Sequence, residues 1–189
     1  NVMASANITP PIQINYVQYH QEFDLDIFKY TKPQLPLPKN IHSFINCLNT
    51  ADLFKKDWEF FQKLEYLMPN WNFKSYGGQC RDGVVNGNQE LANKMRESFF
   101  IYHSKSGGDG FGHVIHNAAA IGRPLIVRKS DYIGKLAEPL LIDGETCITV
   151  DDKDPQEIIN LIKLLYTNPD LYSEMCEKMY DTFKNNVNL

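Results

Sequence analysis

The sequence predicts an α/β domain, a parallel sheet flanked by helices, and three observations carry that expectation. The stretch Ser98–Val127 passes from an aromatic and β-branched segment (Phe99, Phe100, Ile101, Tyr102) through a glycine-rich turn into helical residues from His113 to Ile121. Gly122 then stands at a C-cap position, and Pro124 opens a second apolar run, Leu125-Ile126-Val127, completing one strand–helix–strand unit. Elsewhere, further short apolar runs alternate with amphipathic stripes, as strands and crossover helices do. Finally, 189 residues, 43% of them hydrophobic, suffice to bury the core of one such domain.

In chain order, residues 1–40 are expected to lie apart from the domain proper, which spans 41–189. Ile12 to Tyr19 alternates like a strand behind Pro10 and Pro11, while Pro33, Pro36 and Pro38 make a stiff connector. Asn7-Ile8-Thr9 is a glycosylation sequon, read as incidental beside Pro10. Ile41 to Cys47 is the expected first strand. Ala51 to Met68 follows as an amphipathic helix with Leu53, Phe54, Trp58, Phe61, Leu64 and Leu67 on a core stripe. Trp71 to Tyr76 is the second strand, with Gly77 and Gly78 as its exit turn, and Asn86 to Arg96 is a helix leading into the central strand. Asp154 caps a helix opened by Pro155, its stripe being Ile158, Ile159, Leu161, Ile162 and Leu165. Thr167-Asn168-Pro169 then restarts another helix, through Met179 and Phe183.

Composition removes several function classes. A formal net charge of −4 argues against a nucleic-acid partner, which needs a broad basic face. No run of 18 apolar residues offers a transmembrane segment. The N-terminus lacks the basic, apolar, small-residue succession of a signal peptide, so a cytoplasmic location is expected. Cys47, Cys80, Cys147 and Cys176 are widely spaced with no CxxC, which favours reduced thiols over a zinc or disulfide framework. His113 and His116 are neighbours on a helix, but no third ligand stands at a usual spacing, so no metal is expected.

The chemistry centres on Gly107-Gly108-Asp109-Gly110-Phe111-Gly112. Glycines at a strand–helix turn let a diphosphate approach the backbone, and exposed N–H groups at the positive end of the helix dipole favour the anion. The turn is not the dinucleotide fingerprint: it follows a late strand, and no acidic residue is suitably placed about 20 residues on. Nor is it a P-loop, since no Gly-Lys-Ser/Thr follows. Taken alone, a purely structural turn is the alternative.

Asp109-Gly110-Phe111-Gly112, a helix, and then Ala120-Ile121-Gly122-Arg123-Pro124-Leu125-Ile126-Val127 together resemble the donor-binding signature of retaining GT-B glycosyltransferases of the group 1 type. Leu141 to Val150 resembles the family's next turn and strand, and Asp154-Pro155-Gln156-Glu157 with the closing helices resembles its tail. The likeness runs from about Phe99 to Phe183. It implies one half of a GT-B architecture, a Rossmann-like domain that binds a nucleotide-diphosphate sugar for retaining glycosyl transfer without a cofactor. Tyr19 to Phe28 resembles the hinge leaving an N-terminal acceptor domain, which implies a fragment of a longer enzyme, inactive by itself. The typical domain has a further helix and strand after the second strand, expected here to be shortened to Gln79–Asp82.

The resemblance also assigns roles. Asp109 stands at the catalytic carboxylate position, where the family usually has Glu, and is implied to contact hydroxyls of the donor sugar. Gly107, Gly108, Gly110, Phe111, Gly112 and His113 form the phosphate-binding turn, the backbone amides of the last four being the donors. Asn117 takes the position of a second acidic residue that bonds the ribose. Lys56 is implied to reach the diphosphate; a solvated helix charge is its other reading. Gly83-Val84-Val85-Asn86 resembles a loop whose backbone touches the base, with Gly83 in a plain surface turn as the alternative. The family's arginine after the first strand has no counterpart, because Asn46 and Asn49 occupy that loop. Asn117 and the missing arginine favour a second function, a noncatalytic nucleotide-binding or interaction module derived from the same fold.

Overall fold

The computed structural model describes residues 24–187. Five strands, β1 (Asn40–Ser43), β2 (Asn72–Ser75), β3 (Phe100–Tyr102), β4 (Leu125–Val127) and β5 (Cys147–Thr149), form one sheet in the order β2-β1-β3-β4-β5. Every pairing is parallel, with Ile41 opposite both Phe73 and Phe100 and Ile101 opposite Leu125. The crossovers carry α1 (Lys55–Leu67), α2 (Gly87–Arg96) and α3 (His113–Ile121), the β4–β5 connection has only 3-10 turns, and α4 (Pro155–Thr167) and α5 (Pro169–Asn186) follow the last strand. This is the expected Rossmann-like sheet flanked by helices.

Each strand alternates its side chains between two cores. Phe100, Tyr102, Ile126 and Ile148 face Phe61 and Leu64 of α1 and Ile158 and Ile162 of α4. Ile101, Leu125, Val127 and Cys147 face Met95 of α2, Ile115 and Ala118 of α3, and Met179 and Phe183 of α5. Both faces being covered explains why β3 and β4 are buried at every position, and why their sequences are continuous apolar runs. The Ala118-Ala119-Ala120 run is fully buried, so α3 lies close against its neighbours.

Element boundaries differ where side chains take over from the ladder. The first strand ends at Ser43 rather than Cys47. Cys47 adopts a left-handed φ of 59°, and its amide bonds the Gly78 carbonyl at 2.8 Å, so the chain has already turned. A 3-10 turn, Asp52–Phe54, precedes α1, and Leu53 within it points outward at 68% exposure, off the expected stripe. Gln79–Asp82 forms turns only, as anticipated, which leaves β2 an edge strand. The Asp82 carboxylate caps that edge, accepting from the Ser75 amide at 2.8 Å and Lys74 Nζ at 3.0 Å. Asp154 and Glu157 build a reciprocal capping box on α4 behind Pro155.

The anticipated strand Ile12–Tyr19, the sequon and Tyr19–Phe23 of the hinge-like segment lie outside the described residues. From Asp24 a turn leads to the buried Phe28, and residues 29–39 carry no helix or strand. Among the described residues no helix is long and apolar enough to cross a membrane.

Topology fixes where a ligand can sit. The chain steps outward from β1 to β2, then returns to place β3 on the other side of β1. Loops leaving the carboxyl ends of β1 and β3 therefore diverge and open a crevice between them. α3 begins at that crevice.

Candidate functional site

The head of α3 is built to stay uncapped. Its N-cap is Gly112, at φ 81° and ψ 50°, which has no side chain to turn back onto the first-turn amides. Among the described residues no oxygen accepts from the amides of Gly110, Gly112 or His113. The Gly112 carbonyl, by contrast, accepts from both the His116 amide and His116 Nδ1, each at 3.0 Å. His116 is thus a buried packing residue, with the Phe111 ring stacked on it at 4.5 Å. His113 is exposed beside Phe111, its ring 4.8 Å away.

The loop between β3 and α3 is held by a carboxylate from α1. Asp57, fully buried, accepts from Ser104 Oγ at 2.9 Å, the Ser106 amide at 2.8 Å and Ser106 Oγ at 2.6 Å. Arg128 Nη2, at the end of β4, approaches the same carboxylate at 3.7 Å. Downstream, Gly107 and Gly108 take left-handed φ values of 80° and 59°, and Lys135 Nζ donates to the Gly107 carbonyl at 2.6 Å.

Asp109 sits in the middle of this loop with three donors from its own chain. His103 Nε2 lies 2.7 Å from Oδ2, Tyr132 Oη donates to the same oxygen at 3.1 Å, and Lys105 Nζ pairs with Oδ1. Burial works to raise its pKa, but the His103 hydrogen bond and charge and the Lys105 contact outweigh it and hold the carboxyl well below its usual range. Burial, and then the Asp109 charge, push the Tyr132 phenol up. Because the folded pKa is depressed, the carboxylate's stabilising contribution is fully present above the unfolded value, near 4, and fades as pH falls through the folded one. We therefore expect the advantage of wild type over Asp109→Asn to begin to narrow as urea unfolding is repeated from pH 6 down to pH 3. A constant gap across that range would contradict the ion-pair origin of the stabilisation.

Beside α3's first turn lies a cleft of about 240 Å³. Its walls include Phe44 and Tyr76, stacked at 5.8 Å, with Val84, Val85, Asn46 and Val114. Val114 belongs to α3, so the cleft borders the first turn of that helix. Gly83 stands at the cleft's turn with φ 84°, its carbonyl accepting from the Gly77 amide at 2.8 Å. Asn117 is half-buried one helical turn beyond His113, and its side chain makes no hydrogen bond among the described residues. Lys56 is exposed on the first turn of α1 with no ion pair among the described residues. In the loop after β1, Asn46 Oδ1 accepts from the Gly78 amide at 2.7 Å and Asn49 Oδ1 from the Arg81 amide at 3.1 Å; both are turn-forming residues.

Sequence reasoning missed three members of this neighbourhood. Lys105 lies only four residues before Asp109, a visible spacing whose meaning depends on how the loop folds. Asp57 adjoins Lys56 but was hidden on the helix face that the aromatic stripe dominates. Arg128 supplies a guanidinium at the end of β4 rather than β1. Among the described residues, no three His, Cys, Asp or Glu side chains gather as a metal-binding set.

No protein-family model and no curated protein sequence matches this chain. Solved structures do. Anabaena HepE, solved with UDP and glucose, superposes with a TM-score of 0.66 at 14% identity, over 88% of this chain and 51% of HepE. The C-terminal domain of the group 1 glycosyl transferase LpcC from Francisella tularensis gives 0.53 at 16%, over 87% of this chain and 97% of that domain. This chain has the fold of a GT-B C-terminal domain. The GT-B likeness extends to S. aureus TarM, with a TM-score of 0.57 at 14% identity, over 83% of this chain and 34% of TarM. The chain thus spans about a third to a half of the length of TarM and HepE, and nearly all of the LpcC domain. At these identities the GT-B likeness speaks for the fold alone.

Proposed function

We propose that this GT-B domain binds a nucleotide-diphosphate sugar and serves as the donor half of a retaining glycosyltransferase, completed by an N-terminal domain that holds the acceptor. The observation that carries the reading is the uncapped head of α3, opening at the sheet's topological switch point beside an aromatic-walled cleft. The diphosphate meets the amides of Gly110, Phe111, Gly112 and His113, where the helix dipole and the unfilled N–H groups of Gly110, Gly112 and His113 favour negative charge. The base enters the cleft between Tyr76 and Val84–Val85, next to the Gly83 turn, and Asn117 faces the ribose through an amide that both donates and accepts. HepE, solved with UDP and glucose, offers a chemical precedent.

In the reaction the leaving diphosphate gains charge as the glycosidic bond lengthens. Preorganised amides, with Lys56 from the first turn of α1 and Lys105 from the β3–α3 loop, stabilise that charge without reorganising, which is the larger contribution to such catalysis. Asp109 addresses the donor sugar, and engaging its hydroxyls means exchanging one of the three donors it already has. That occupancy favours the second reading, a noncatalytic nucleotide-binding module.

Calorimetry and amide chemical-shift titration against UDP, GDP, ADP and UDP-glucose, with and without a chelator, separate the outcomes. The donor-half reading expects one nucleotide to bind with a Kd of about 1 mM or tighter, −4 kcal/mol, and to move the Gly110–Val114 amides. Silence of those amides toward every nucleotide would remove it. Binding of nucleotide without further gain from the attached sugar would select the noncatalytic module.

A further inference from the structure

At the amino edge of the sheet, the opposite end from the head of α3, two guanidinium groups border a cavity of about 210 Å³. Arg96 ends α2 and Arg123 follows the C-cap of α3, each a few residues before β3 or β4 begins. With α3 being 9 residues long, the two ends of that helix stand roughly 13 Å apart at 1.5 Å per residue.

Arg123 is only 4% exposed. Its Nη1 donates to the carbonyls of Thr31 at 2.9 Å and Gly122 at 3.2 Å, and its Nε to the Arg96 carbonyl at 3.3 Å. Arg96 Nη2 donates to the Ile27 carbonyl and, at 3.4 Å, to that of Lys29, while its Nη1 reaches Asn93 Oδ1 at 3.3 Å. Every one of these acceptors is neutral. The arginine ion pairs among the described residues belong instead to Arg81 and Arg128. Burial, and then the Arg123 charge, push Arg96 below its ordinary pKa. At the rim Lys32 adds a third cation, its ammonium 3.4 Å from the exposed Glu177 carboxylate.

Holding the segment Ile27–Thr31 in place requires donors, not charge, and amide side chains would supply them. Two like charges sharing a half-enclosed cavity, oriented by carbonyl dipoles but not neutralised, are instead what a doubly charged oxygen anion needs. We propose that this cavity is an oxyanion site that takes the phosphate group of a small molecule between Arg96, Arg123 and Lys32. The same chemistry fits free phosphate and a phosphomonoester. The site is separate from the α3 head and does not depend on the donor reading.

The test is a titration of the 15N-labelled chain with inorganic phosphate and, separately, glycerol phosphate, against sodium chloride at matched ionic strength. We expect saturable shifts at the amides of Thr31, Lys32, Gln34 and Arg123 and at the Nε–H signals of Arg96 and Arg123, with chloride inert. The tighter of the two probes identifies the source. Arg96→Gln should weaken the effect about tenfold or more, and Arg96→Lys, which keeps charge but loses the fork, should fall between. Shifts confined to Gly107–Val114, or equal shifts with chloride, would overturn the proposal, and either is readable on wild type even if a variant fails to fold.

Discussion

Asp57→Ala is expected to destabilise the domain by about 3 to 5 kcal/mol, the cost of removing one partner from a buried charged cluster. Three donors, Ser104 Oγ, Ser106 Oγ and the Ser106 amide, lose their acceptor at once, and the Arg128 guanidinium loses the carboxylate 3.7 Å away. For a domain of this size that corresponds to a melting temperature lower by on the order of 10 °C. Asp57→Asn keeps one acceptor oxygen and should cost less. The loop that Asp57 anchors carries Lys105 and Asp109 and leads into α3. Residual nucleotide binding should therefore fall in Asp57→Asn even where the fold survives. Thermal denaturation of the two variants, with hydrogen exchange at the Ser106 amide, measures both effects. An Ala variant melting within a degree or two of wild type would mean that the cluster contributes little.

Much of this arrangement was legible in residues whose local chemistry and tertiary role agree. The sequence predicts a helix over His113–Ile121 ending at Gly122, and the chain forms it, because glycine in the left-handed conformation closes it at φ 75°. The Asp154-Pro155 start and the Asn168-Pro169 restart were legible for the same reason, since caps and proline act within one turn of chain. Leu53 was misplaced because periodicity alone cannot tell a 3-10 turn from the first turn of an α-helix. The end of β1 was placed too late because Asn46 and Gly78 pull the chain into a turn through contacts 32 residues apart. The candidate site divides likewise. Its glycines announced themselves by type and spacing. The donors around Asp109 come from the residue just after β3, the loop and the Tyr132 segment, and no local pattern brings His103, Lys105 and Tyr132 together.

Gly107 and Gly108 offer a sharper trial of the phosphate-binding turn, because they are adjacent, share a left-handed backbone and differ in surroundings. A Cβ at Gly107 would meet nothing within 4 Å, whereas one at Gly108 would stand 2.6 Å from the Asp131 carbonyl oxygen and 2.9 Å from Lys135 Nζ. Gly107→Ala thus costs backbone strain alone, about 1 to 2 kcal/mol. Gly108→Ala adds an overpacking cost of about 1 to 3 kcal/mol, and backbone on the far side cannot swing away as a flexible side chain does. The loop itself must then move, carrying Asp109 off His103 and Tyr132 and shifting the amides at the head of α3. We expect Gly108→Ala to melt lower than Gly107→Ala and to bind nucleotide about tenfold more weakly than it, a difference of 1.4 kcal/mol. Gly107→Ala should stay close to wild type in affinity, since its turn has room to hold an alanine in place. Calorimetric affinities and melting curves for the pair decide the matter. If the two alanines proved equal in both, the packing of this turn against the Asp131–Lys135 segment would have no part in holding the amides where an anion can reach them.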